Sequence, residues 1–219
     1  MKNRAIILVA FVLLGQASYA GMKLKLGLRL SPALSYAGVR DKDGDDGLTF
    51  SNNGVAGRAI LGPMAEFFMT DNVSFGTGLW YTPKSVSFIA KSKSGNSSFA
   101  STYNLQYLMI PVYLKFYTNP ITPKMKLYFT LGGNIDIKIS EKAGSNVNTS
   151  GKSFFNPIDM GLMLGTGVEF SLSESTAFFV GIGYNRGLLN VINPVNYKSS
   201  YDAIAIRNNL LSLDLGVKF

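Results

Sequence analysis

Between Met22 and Leu30 every second residue is large and apolar, and Lys23, Lys25, Gly27 and Arg29 fill the places between. A period of two gives an extended strand with one oily face and one polar face. The same design ends the sequence, with Leu211, Leu213, Leu215, Val217 and Phe219 set against Ser212, Asp214, Gly216 and Lys218. In a soluble sandwich the oily face would need a partner sheet. Cations threaded between large apolar residues fit better in the wall of a cylinder with lipid outside and polar groups at its centre. Two such strands at opposite ends of the chain can pair and close that cylinder.

The pattern recurs between these ends. It predicts strands over about 22–39, 57–69, 73–89, 101–118, 124–140, 156–171, 176–189 and 207–219. Long polar connections, such as Asp41 to Gly47 and Glu141 to Ser153, alternate with short turns such as Thr70-Asp71-Asn72 and Ser173-Glu174-Ser175. An even strand number with long loops on one side and short turns on the other is the plan of outer-membrane barrels. The expected fold is therefore all-β, an eight-stranded antiparallel up-and-down transmembrane β-barrel with both termini in the periplasm. Pro32 removes a ladder donor, so a bulge or strand edge is expected there. Asn104 and Gln106 share a parity with Leu108 and Ile110, which predicts a bulge that flips the faces near Tyr107.

Residues 1–20 read as a secretory signal: Lys2 and Arg4, an apolar run from Ala5 to Leu14, then small residues at Ser18 and Ala20. The barrel domain is then 21–219. The chain has neither cysteine nor histidine, so no disulfide or thiolate metal site can form. Formal charge is +8, but only 16% of residues are charged and 12% are aromatic, a balance that argues against a nucleic-acid partner. A serine without an activating base is a poor nucleophile, so no catalytic residue, metal or cofactor is expected. Asp41, Asp43 and Asp45 resemble the start of a calcium loop, but Asp46 replaces its glycine and Asn52 its closing glutamate. GLMLGTG lies within a strand with no helix after it, which excludes a dinucleotide site.

A charge facing lipid at mid-membrane costs about 2–4 kcal/mol in a barrel. This turns Lys25, Arg29, Glu66, Lys115, Asp136, Asp159, Glu169 and Asp214 toward the lumen, where eight strands leave room only for side chains. The spacing predicts a lower ion-pair ring of Lys25, Glu66, Lys115, Glu169 and Asp214, and a smaller upper one at Asp136 and Asp159. Inward glycines such as Gly167 and Gly181 make room for Trp80, Tyr128, Met163 and Phe179. Lys84, Lys91 and Lys93 fall near the outer rim, where they could meet lipopolysaccharide phosphates. Tyr36, Tyr81, Tyr103, Tyr117, Phe170 and Phe178 are candidates for the interface girdles.

With the strands placed, the segments YLMIPVYLKF (Tyr107 to Phe116), LGGNIDIKIS (Leu131 to Ser140), DMGLMLGTGVEF (Asp159 to Phe170), GIGYNRGLLNV (Gly181 to Val191) and the ending LDLGVKF resemble the PorT-like family of small outer-membrane β-barrels of Bacteroidetes-type bacteria. The resemblance implies insertion by the barrel-assembly machinery, with the terminal aromatic Phe219 as its signal. It implies no single activity, although some members support protein secretion. The expected function is a non-catalytic outer-membrane barrel with a filled polar lumen, contacting outer-membrane lipid and serving a structural, surface-interaction or secretion-partner role. The alternative is a narrow porin-like transporter for a small or lipidic ligand.

Overall fold

The computed structural model describes residues 23–41, 48–92, 98–144, 153–193 and 204–219. The signal segment, Asp43, Asp45 and Lys93 lie outside these residues. The described chain forms ten antiparallel segments of one sheet: β1 Lys23–Asp41, β2 Leu48–Asn52, β3 Val55–Phe68, β4 Val73–Gly78, β5 Trp80–Ser92, β6 Ser98–Tyr117, β7 Met125–Ala143, β8 Ile158–Ser171, β9 Ala177–Gly187 and β10 Ile204–Lys218. β2 and β3 are successive parts of one stave, and β4 and β5 of another, so the wall has eight staves. It closes because β1 pairs with β10 on one side and β3 on the other. At the short-turn end the Leu26 and Phe219 backbones exchange hydrogen bonds of 3.1 and 2.8 Å.

The alternation is inverted relative to a soluble protein. Leu28, Phe129, Leu164 and Ile182 are each more than half exposed, whereas Glu66, Asp136 and Lys218 are fully buried. An outward belt of leucine, isoleucine and phenylalanine surrounds a polar centre, the arrangement that hydrocarbon outside the wall demands.

Three buried apolar layers fill the cylinder. Nearest the long loops, Phe154, Phe155, Val191 and Ile192 fold in against Phe88, Tyr103, Leu105 and Ile206. Mid-height, Trp80, Met109, Tyr113, Met163 and Leu210 form a second layer. Near the short turns, Met64, Tyr117, Tyr128 and Phe179 form a third. Gly167 and Gly181 face the Tyr128 hydroxyl so closely that neither position has room for a Cβ. The rings thus occupy volume that the glycines leave open.

Four expectations need correction. A strand segment, β2, precedes the expected start of the second stave: Leu48–Asn52 pairs with β5 although Ser51-Asn52-Asn53-Gly54 has turn chemistry. Pro32 makes no bulge. The β1–β10 register is the same at Leu30↔Leu215 and Ala33↔Ser212, and only the rungs at Ser31 and Pro32 are missing. β6 keeps one parity throughout, odd residues inward, so no face flip occurs near Tyr107. The irregularity is instead in its pairing, between Gln106↔Ser140 and Tyr107↔Lys138, which leaves Ile139 of β7 as the extra residue. Finally, that parity puts Tyr103 and Tyr117 inside the lumen, not in a girdle. Phe170 and Phe178 do face outward.

Candidate functional site

The lumen holds three polar levels interleaved with the apolar layers. In the lowest, Lys218 Nζ lies 2.8 Å from Glu66 Oε2 and 2.6 Å from Glu169 Oε2. Lys115 Nζ is 3.8 and 3.5 Å from the same two carboxylates. Two acids and two bases make this level neutral, the condition under which buried charge is tolerable. Ser74 donates to Glu66 at 2.5 Å, and the Tyr117 hydroxyl stands between both glutamates. The Lys115 ammonium also lies 3.8 Å from the centroid of the Tyr128 ring, a desolvated cation–π contact.

Above it, Arg29 pairs with Asp214 and donates from Nε to Ser31 Oγ at 2.7 Å. Ser212 donates to the same Asp214 oxygen at 2.6 Å. The guanidinium lies 4.1 Å from the centroid of the Trp80 ring.

In the upper level Asp136 and Asp159 are register partners on β7 and β8. Two carboxylates side by side repel, and Lys84 separates them, 2.5 Å from Asp136 and 3.6 Å from Asp159. Asn208 donates to Asp159 at 2.9 Å. Asp136 Oδ1 and Asn208 Oδ1 are buried without a hydrogen-bond partner among the described residues.

Asp214 therefore lies outside the lowest group and belongs to a level of its own with Arg29. Lys25 is half-buried at the short-turn mouth beside Lys126 and Glu174, and is in no ion pair among the described residues. Its expected place is taken by Lys218, whose inward parity was visible in LDLGVKF. Lys84 is no rim cation: it is 1% exposed in the lumen. Its signal was also available, since it shares the parity of Trp80. Lys91 is exposed at the long-loop end of β5. There Glu141 accepts from Lys138 at 2.5 Å, from Ser153 at 2.8 Å and from the Phe154 N–H at 2.8 Å. That clasp holds the Phe154-Phe155 lid over the lumen.

Residues 15–193 match the family described as Outer membrane protein beta-barrel domain. Neisserial surface protein A is 18% identical, with 91% of this chain and 99% of that one covered and a TM-score of 0.50. OprG from Pseudomonas aeruginosa is 16% identical, with 90% and 97% covered and a TM-score of 0.57. At these identities the likeness is one of fold. No curated protein matches the chain.

Proposed function

Because the chain belongs to the outer membrane protein beta-barrel family, we propose that it works as a plugged, non-catalytic barrel of the bacterial outer membrane, its activity lying in surface or partner contact and not in permeation. The observation that carries this reading is the filled lumen: three apolar layers and three ion-paired levels occupy the cylinder from one end to the other. Both termini then stand in the periplasm and the long loops outside. The barrel-assembly machinery is the partner during insertion, with Phe219 as its signal. Motifs such as YLMIPVYLKF support a place among PorT-like barrels, with a secretion-system or surface partner. Planar-bilayer recording tests the plug: the purified protein leaves the bilayer silent, and steady single-channel currents would establish the transporter instead. Capture from membranes through a tag inserted between residues 145 and 152, compared with one at the end proposed to be periplasmic, tests on which side the partner binds.

A further inference from the structure

The wall has one irregular sector. Above Leu61↔Tyr81 no rung joins β3 to β5 until the Asn53 N–H reaches Ser87 O at 3.0 Å. Seven residues, 54–60, span this gap on one side and five, 82–86, on the other. The two edges cannot stay in register. β5 tucks inward against β1, where the Ser85 N–H donates to Ser35 Oγ at 2.9 Å and that hydroxyl donates back to Ser85 O at 3.4 Å. β3 laps over the outside. Arg58, which by alternation would enter the lumen, instead lies across the outer surface and donates to Gly57 O at 3.1 Å and to Asn104 of β6.

Beside this lap the lipid-facing wall is hollowed. Pro32, Gly57 and Ala59 make a low floor between Leu34, Leu211 and Leu213, a depression of about 840 Å³ open to the outside of the wall. Arg58 itself lines the hollow, and three further arginines follow at increasing height on the neighbouring staves. Of the six in the chain, Arg186, Arg207, Arg40 and Arg58 lie on four consecutive staves, β9, β10, β1 and β3. Arg58 is opposite Ala33, Arg207 opposite Gly38, and Arg186 opposite Asn209, which is itself opposite Tyr36. The Tyr36 and Tyr184 hydroxyls meet at 3.4 Å between them. Among the described residues no carboxylate forms an ion pair with any of the four arginines.

We propose that this sector binds a phosphorylated, acylated lipid, with chains in the hollow and phosphate on the arginines. The proposal rests on the membrane reading above. Hydrocarbon is the occupant that an apolar hollow in a lipid-facing wall admits, since unfilled volume forfeits dispersion contacts. Guanidinium forks match phosphate oxygens and desolvate more readily than ammonium. An arginine collar above a chain-sized hollow therefore selects an anionic head over a neutral one.

Trp80 is the only tryptophan in the chain and packs in one cluster with Ala33 and Ile60 directly behind the hollow. Its fluorescence reports a brominated acyl chain seated there. The protein is folded into phosphatidylcholine vesicles with increasing fractions of brominated phosphatidylglycerol or brominated phosphatidylcholine. Quenching by the anionic lipid saturates, with a half-point about tenfold below that of the neutral one. Arg58→Gln with Arg186→Gln brings the two half-points together. Gly57→Leu, at a position with open space around its Cβ, removes the saturating phase. Millimolar inorganic phosphate leaves the quenching unchanged. Linear quenching of the native protein, equal for both lipids, would mean ordinary boundary lipid and overturns the proposal; so does saturation that ignores the head group or is reversed by free phosphate. Folded migration in unheated gels certifies each variant, and bilayer silence is a separate result that this outcome does not touch.

Discussion

At the scale of single residues, the lumen shows how charge is held where water is scarce. Glu66 and Glu169 are tolerated because Lys115 and Lys218 face both of them. Removing one partner leaves its neighbour uncompensated, a change that costs about 3–5 kcal/mol in buried pairs. Glu169→Gln should therefore lower the urea midpoint of the barrel in detergent, and an unchanged midpoint would refute the role assigned to this level. Lys84→Met tests the upper level more severely, because it leaves two adjacent carboxylates with no cation between them. A loss of similar size is expected, and Asp159→Asn added to Lys84→Met should restore part of it. Parity alone placed these side chains in the lumen. Which acid meets which base was not legible, since each pair joins staves far apart in sequence. The assignment of Lys84 to the rim shows that a basic residue close to a loop can still belong to the centre.

At the scale of elements, the period of two is local, and it located every stave but the second within a few residues. What it could not reveal was register. β2 carries turn-forming residues, and its pairing with β5 is visible only once both edges are in place. The two-residue excess beside Gly54 has no signal in hydropathy at all. Asn104 and Gln106 suggested a face flip because they share the parity of Leu108 and Ile110; β6 instead keeps one parity, with Asn104 exposed on the outer face. The lap between β3 and β5 depends on Ser35, whose hydroxyl serves both backbone groups of Ser85. A buried polar group left unmet costs about 1–3 kcal/mol. Ser35→Ala should thus speed amide exchange at Ser85 and its neighbours while leaving β7–β8 amides as before; exchange that stays slow at Ser85 would show that another group holds the lap.

At the scale of the whole molecule, the apolar belt and the sealed lumen together define a membrane-embedded peg with decorated ends. The buried Phe154-Phe155 lid and the clasp at Glu141 fix the end of the wall that carries the long connections. The last residue has a different task. Phe219 is 57% exposed on the outer wall, and its backbone closes the ring with Leu26. Deleting Phe219 removes those terminal bonds and the aromatic that assembly is proposed to read. Insertion in cells should fall severalfold while folding of purified chain into short-chain lipid changes little; equal losses in both would assign Phe219 to stability alone.

The neighbouring ends have a topological consequence. Because the first and last staves are hydrogen-bonded side by side, the covalent chain traces a complete circuit and is interrupted at one arbitrary point. A circularly permuted gene, joining 219 to 23 through a short linker and reopened within 194–203, encodes the same wall. With the long connections outside, as proposed, its new ends open at the cell surface, where an appended peptide would be displayed.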